Sequence, residues 1–362
     1  MLRLPLGCGS GARYLILETK GFDELRDIDV FQRLTDGADL TVEEARSVFE
    51  RIMAGQLGEA LIGALLGALL TKGECGDELV GAAQAMRASA LRVQCDADAI
   101  DTCGTGGDGI STFNVSTTAA IIAVAAGATV AKHGNRSSTR VSGSTEVLTE
   151  LGINVDADRA TVERCLREVR IGYLNARVLH PAMKYAAPVR QAIPVRTIFN
   201  LLGPLTNPAG VRRQLVGVPR LDLMEMIAEA LRRLGTVKAW VVHGSQGLCD
   251  LTVTGPTTVV ELRDGALHRF TVTPEDVGLR RGELSDLLVG SPVESAARVR
   301  AILGGEKSAA RDHALLNSGA ALVVAGLANA LSDGVSMAAG AVDDGRALAT
   351  LERWRTIAGL PG

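Results

Sequence analysis

At about residue 93 the chain changes its pattern, and that change constrains the fold more than any other feature. Beyond it, short apolar runs that read as strands (Ala99–Thr102, Thr129–Lys132, Val237–His243) alternate with helical stretches (Ser116–Ala126, Ser144–Leu151, Leu221–Leu234). The alternation predicts an α/β domain over 94–362 with a mainly parallel central sheet, since parallel neighbours need a crossover helix between them. Thr257–Leu262 and His268–Val272, joined by Arg263-Asp264-Gly265-Ala266, read as a hairpin attached to that sheet.

Before residue 93 the spacing is helical. Thr41-Val42-Glu43-Glu44 forms a capping box, Ala45, Val48, Phe49, Ile52 and Met53 follow on one face, and Gly55 ends the helix. Helical patterns continue from Gly58 to Lys72 and from Asp77, the expected N-cap, to Leu91, which makes 27–93 a small N-terminal helical domain. His180–Phe199 is again helical in composition, and its 181–199 stretch is expected to return onto that bundle. Residues 1–26 lack a period and are read as an extension, either disordered or the product of an upstream start. With no low-complexity linker, the two domains should share an interface, and the cleft between them is the default ligand site.

Composition narrows the function. The 38 Lys and Arg against 41 Asp and Glu give a net charge of −3, without the basic field of a nucleic-acid protein, so an anionic ligand must be held by local geometry. The apolar runs Ala60–Leu70 and Ala119–Ala128 fall short of the roughly 18 to 20 residues that span a bilayer, and the N-terminus lacks a signal-peptide core. A cytoplasmic protein with no membrane partner is expected. The six cysteines show no CxxC or Cys/His spacing and read as free thiols.

The densest chemical signal is Asp101-Thr102-Cys103-Gly104-Thr105-Gly106-Gly107-Asp108-Gly109, between a predicted strand and a predicted helix. Glycines let the backbone approach an anion, and successive N–H groups with a helix N-terminus supply positive potential without a lysine. The spacing is neither a P-loop ending in GK[ST] nor a GxGxxG fingerprint, and alone the loop is either a phosphate cradle or an ordinary turn. Thr112, Asn114, Ser116 and Thr117 then crowd the next helix start with more hydrogen-bonding side chains than a cap needs. Lys132-His133-Gly134-Asn135-Arg136 opens a second polar loop running through Ser137, Ser138, Thr139, Arg140, Ser142, Gly143 and Ser144. A cation-rich loop beside an N–H-rich loop can hold two phosphate groups.

Together these runs resemble the anthranilate phosphoribosyltransferases, among the nucleoside phosphorylase-like phosphoribosyltransferases. The matching runs are GTGGD at 104–108, NVST at 114–117, KHGNR at 132–136, SGS at 142–144, HPAMK at 180–184 and FNLLGPLTNPA at 199–209. The resemblance extends from about residue 28 to the C-terminus, and it implies that 94–362 is a phosphoribosyl-binding domain. It also implies Mg²⁺-dependent transfer of 5-phosphoribosyl from phosphoribosyl pyrophosphate (PRPP) to the amine of anthranilate, a step of tryptophan biosynthesis, by a homodimer joined through its helical domains. Carried over, Gly104, Thr105, Gly107, Asp108, Thr112, Asn114, Val115, Ser116, Thr117, Lys132, His133, Gly134, Asn135, Arg136, Thr139, Arg140 and Ser144 would hold PRPP. Gly104, Asn135, His180 and Arg190 would line the anthranilate pocket, and Ser116 and Asp250 would be Mg²⁺ ligands. No catalytic acid or base is assigned: an aniline amine is already unprotonated at pH 7, so positioning and charge stabilisation should carry the reaction.

Three departures stand out. The family's adjacent Asp-Glu metal pair reads Cys249-Asp250 here, a soft thiol where a hard cation wants oxygen. Thr139, Arg140 and Val141 stand where two small residues and a Lys are usual, so Arg140 either replaces the missing charge or crowds the phosphate site. Thr145-Glu146 replaces Ala-Asp and keeps the carboxylate. Because fold does not fix substrate, a relative using another aromatic acceptor is the second reading; a non-catalytic nucleic-acid binder with an impaired metal site is the third.

Overall fold

The computed structural model describes residues 24–137 and 139–359. The expected extension lies outside them, except that the first helix already begins at Glu24. Helices α1 (Glu24–Thr35), α2 (Val42–Met53), α3 (Glu59–Lys72) and α4 (Gly76–Ser89) form the bundle. The capping box holds: the Glu44 N–H donates to Thr41 Oγ1 (3.2 Å) while the Glu44 carboxylate accepts from the Thr41 N–H (2.9 Å). The predicted face of Ala45, Val48, Phe49, Ile52 and Met53 is buried. One expectation fails by part of a turn: α4 is capped at Cys75, whose N–H donates to the Glu78 carboxylate (2.9 Å), and Asp77 falls inside the first turn, where the helix dipole favours its charge. Gly81 lets α4 close on α2, since a Cβ there would lie 2.4 Å from the Val42 carbonyl oxygen.

The remaining elements, in chain order, are β1 (Ile100–Asp101), α5 (Val115–Ala125), β2 (Val130–Gly134), α6 (Ser144–Glu150), α7 (Arg159–Val169), β3 (Ile171–Asn175), α8 (Ala176–Leu179), α9 (Ala187–Ala192), β4 (Arg213–Gly217), α10 (Met224–Arg233), β5 (Lys238–Gly244), β6 (Thr257–Arg263), β7 (Ala266–Val272) and α11 to α14 (Pro292–Leu303, Ala309–Ala325, Leu331–Asp343, Arg346–Ala358). Among the described residues seven strands make one sheet in the order β3-β2-β1-β4-β5-β6-β7. The first five run parallel, with Ile100 opposite both Val130 and Arg213, and β6 and β7 are antiparallel. The predicted hairpin turns on Asp264 and Gly265, both at positive φ, the two-residue connection that matches strand twist.

Helices cover both faces of the sheet, as a mainly parallel sheet requires. On one side α5 and α11 to α14 bury Ile121, Leu315, Leu322 and Trp354. On the other, Val216, Val241 and Val260 share a core with α10 and the bundle's Phe49, Ile62 and Leu66. The returning segment contributes Ala186, Val189, Ile198 and Phe199 to that second core, so it does pack on the bundle. It is not a continuous helix, however. Pro181, Pro188 and Pro194 interrupt it, leaving a 3₁₀ turn over Pro181–Tyr185, the short α9 and a 3₁₀ turn over Ile198–Asn200.

The strand order reverses at β1. Its neighbours β2 and β4 lie on opposite sides, so the chains leaving β1 and β4 diverge and open a crevice at the strands' carboxyl ends. The glycine run leaves β1 at that point. Among the described residues no helix is long and apolar enough to cross a membrane, and the cysteines are free thiols.

Candidate functional site

Strand β1 is shorter than expected because the backbone leaves the ladder after Asp101 to form the glycine loop. The loop remains pinned to the end of β4: the Thr105 N–H donates to the Gly217 carbonyl (2.9 Å), and a Cβ on Gly104 would sit 2.9 Å from that oxygen. Gly106, Gly107 and Gly109 all have positive φ, which L side chains adopt at a cost. The space over Gly107 is filled by Arg196, whose guanidinium also donates to the Thr105 carbonyl (3.0 Å). Arg196 was not among the sequence candidates.

Beneath the loop lie two buried ionisable groups, Asp101 and Lys132. Asp101 accepts the His133 N–H (3.1 Å) and the Asn207 amide (2.8 Å). Burial pushes its pKa up to about 6, against the Lys132 charge and the Asn207 hydrogen bond. Lys132, also buried, donates to the Thr102 carbonyl (3.1 Å) and to Ser116 Oγ (3.0 Å); burial lowers its pKa while Asp101 opposes that shift. Asn114 caps α5 by accepting the Thr117 N–H (3.0 Å).

The second polar loop brings Arg140 onto Asp108. Arg140 Nε donates to Asp108 Oδ1 (2.6 Å), and its Nη2 engages Asp108 Oδ2. Nη1 reaches Thr112 Oγ1 (3.4 Å), and Nη2 lies 3.8 Å from Asp250 Oδ2. Burial works against the Arg140 charge, but the Asp108 hydrogen bond and the two carboxylate charges outweigh it and raise its pKa. Gly217 lets the 249–250 backbone close on β4, since a Cβ there would collide with the Cys249 carbonyl. Burial raises the pKa of Asp250 to about 6, with Arg140 opposing, and raises the Cys249 thiol well above its ordinary value.

These parts face one cleft of about 1100 Å³, larger than a typical pocket for one small ligand. Gly104, Thr105, Gly107, Asn114, Ser116, Lys132, His133, Gly134, Asn135, Arg136, Thr139, Arg140, Ser144, Cys249 and Asp250 line it, as do His180 and Arg190 from the returning segment. Four candidates do not. Asp108 is screened by Arg140, Thr112 is buried beneath it, and Val115 and Thr117 belong to the buried face of α5. Beside the start of the glycine loop, where a His133 ring nitrogen lies within 4.8 Å of the Asp101 carboxylate and the Cys103 sulfur, the His133 and His180 rings lie 5.2 Å apart, and the His133 Nδ1 pairs with the Gly203 carbonyl (3.0 Å). Burial drives both imidazoles neutral, to pKa values of about 3 and about 4. Arg190 stacks 5.3 Å above the Phe199 ring, a cation on an aromatic face.

For a hard divalent ion, Ser116 Oγ and the Asp250 carboxylate are oxygen donors on the cleft wall, while Cys249 offers a sulfur. The donor chemistry therefore fits one Mg²⁺ at Ser116 and Asp250.

The chain matches the Glycosyl transferase family a/b domain over residues 96–348 and that family's helical bundle domain over 28–90. It is 50% identical over 321 residues to the anthranilate phosphoribosyltransferase of Methylocella silvestris, covering 89% of this chain and 92% of the relative. The crystal structure of anthranilate phosphoribosyltransferase from Thermus thermophilus superposes with a TM-score of 0.86 at 40% identity, covering 91% of this chain and 99% of that one. The Saccharomyces cerevisiae anthranilate phosphoribosyltransferase in complex with PRPP and Mg gives a TM-score of 0.85 at 25% identity, over 92% and 98%. With both domains matched and 50% identity to such a relative over 321 residues, this chain belongs to the anthranilate phosphoribosyltransferase family.

Proposed function

We propose that the chain transfers the 5-phosphoribosyl group of PRPP to the amine of anthranilate and releases pyrophosphate. The observation that carries this reading is one cleft with two unlike ends: a backbone-rich, cationic end at the glycine loop and an aromatic end at His180 and Arg190. PRPP suits the first, and the cationic fork of Arg190 beside Phe199 suits an aromatic carboxylate.

The glycine loop and the α5 N-terminus orient the diphosphate by N–H contact, and Lys132, Arg136 and Arg140 supply fixed positive charge around it. Ser116 and Asp250 would hold Mg²⁺, which neutralises charge on the departing pyrophosphate. An aniline amine is unprotonated at neutral pH, so its nitrogen approaches ribose C1 with its lone pair free, and the neutral His133 and His180 imidazoles add no charge to that of Arg190. As the nitrogen–carbon bond forms, the carbon–oxygen bond to diphosphate breaks, and the nitrogen then sheds a proton. Holding the two substrates at opposite ends of one cleft supplies the proximity that dominates such a reaction.

A homodimer through the helical domain belongs to the same reading, and α3 leaves Leu61 and Leu70 exposed for it; light scattering of the purified chain tests that part. The activity is tested by following anthranilate fluorescence with PRPP over a Mg²⁺ titration. Loss of fluorescence that needs PRPP supports the reading, and an unchanged signal at saturating PRPP and Mg²⁺ rejects anthranilate as the acceptor.

A further inference from the structure

Asp108 has four donors on two oxygens. Oδ1 takes Arg140 Nε (2.6 Å) and the Ile110 N–H (3.4 Å), and Oδ2 takes Arg140 Nη2 and the Cys249 N–H (3.2 Å). A carboxylate offers about four lone-pair sites, so none is left for a metal ion. The guanidinium making two of these bonds also faces Asp250, and the Ser137 hydroxyl accepts the Arg140 N–H (2.8 Å), fixing the backbone from which it projects.

We propose that Arg140 is a tethered cation between Asp108 and Asp250, filling a position where a divalent ion would otherwise bridge the two carboxylates, and presenting its remaining N–H groups to the diphosphate. The inference rests on the phosphoribosyl-transfer reading above. Two features of this chain support it together. Cys249 stands where the resembling family has Asp, so a soft sulfur replaces a carboxylate at this position. Two carboxylates with one guanidinium carry the same net charge as three carboxylates with one dication. The loss of a carboxylate at 249 and the gain of an arginine at 140 therefore compensate each other, while Val141 leaves no second cation at the usual lysine position. Between Asp108 and Asp250 the source of positive charge changes from an exchangeable ion to a side chain.

The test counts ions rather than turnover. Mn²⁺ replaces Mg²⁺, and bound Mn²⁺ per chain is measured by electron paramagnetic resonance at saturating PRPP, with PRPP binding followed by calorimetry on the same samples. Wild type is expected to hold one Mn²⁺ per chain. The Arg140→Ser/Cys249→Asp double variant is expected to hold two, and Arg140→Lys to stay at one. Arg140→Ser alone should lower kcat/KM about 100-fold, as loss of a preorganised charge at a leaving group does. Two Mn²⁺ in wild type, or one in a folded double variant that binds PRPP, overturns the proposal; circular dichroism establishes folding. Failure of wild type to bind PRPP would instead sink the phosphoribosyl-transfer reading, and this inference with it.

Discussion

The two ends of the cleft are built on opposite electrostatic plans. At the glycine loop, buried charges are kept and satisfied: Lys132 by the Thr102 carbonyl and Ser116 hydroxyl, Asp101 by the His133 N–H and the Asn207 amide, and Arg140 by Asp108 and Asp250. At the His180 end, burial removes charge instead, leaving two neutral imidazoles and one arginine on an aromatic ring. The first plan suits a ligand that brings several negative charges, because paired cations keep donors available without an unpaired charge in the apo protein. The second suits a flat, mostly apolar ligand with a single charge.

Breaking the first plan should have the largest effect. Lys132→Ala removes the nearby positive charge that opposes the raised pKa of buried Asp101 and deletes two buried hydrogen bonds, to the Thr102 carbonyl and Ser116 Oγ, each worth about 1.5 to 3 kcal/mol when the donor is charged. Urea unfolding should show that loss, with partial recovery when Asp101→Asn is added to Lys132→Met. A loss under 1 kcal/mol would mean that Asp101 is already neutral in the native protein.

The second plan predicts a pH signature. His180 has a folded pKa of about 4, below its unfolded value of about 6.5. Between those values the unfolded chain binds a proton that the native chain does not, so this histidine's contribution is present above pH 6.5 and lost as pH falls toward 4. Asp101, raised to about 6, acts with the opposite sign: the native state binds the extra proton, so acidification from pH 6 to about 4 favours folding. The two ends therefore offset each other in mild acid. His180→Asn should remove one of the two imidazoles on that side, His133 with its pKa of about 3 acting in the same direction, and protect against acid by up to about 3 kcal/mol at pH 4 relative to pH 7. A variant whose acid sensitivity equals that of wild type would show that the imidazole is not buried neutral.

How much of this was readable in the sequence differs between the ends for a physical reason. The glycine loop is spelled locally, since positive φ at Gly106, Gly107 and Gly109 demands glycine and leaves a contiguous motif. Gly107→Ala should accordingly lower kcat/KM for PRPP by about 100-fold, through backbone strain and collision with Arg196, and leave KM for anthranilate within threefold. Arg196 itself carried no such signal: between Pro194-Val195 and Thr197 it sits on no periodic face, and only the tertiary path of the returning segment lays it on the loop. Strands β3 and β4 were missed because their polar residues do structural work. Gln214 donates to the Pro204 carbonyl (2.6 Å), and Asn175 both caps α8 and bonds the Val155 carbonyl (3.0 Å). Gln214 falls near the start of one strand and Asn175 at the end of the other, which leaves apolar stretches too short for periodicity to tell a strand from a helix. Arg140 illustrates the limit most sharply. Its departure from the family pattern was visible in one line of text, but its pairing with Asp108, across 32 residues, needed the fold.

The smallest expected effect separates charge from shape at the acceptor end. Arg190→Lys keeps the cation but loses the planar fork and its stacking on Phe199, a change that is not conservative at a stacked or bidentate site. If Arg190 engages the anthranilate carboxylate through that fork, KM for anthranilate should rise about tenfold, the equivalent of roughly 1.4 kcal/mol, while KM for PRPP stays put. Arg190→Gln should then be worse than Lys, because it removes the charge as well. Equal KM values for the Lys and Gln variants would mean that the ring contact with Phe199 is all that Arg190 provides, and that the carboxylate is recognised elsewhere on the cleft wall. Asn135 is the next residue to test in that event, since it lines the same cleft and carries no charge for burial to extinguish.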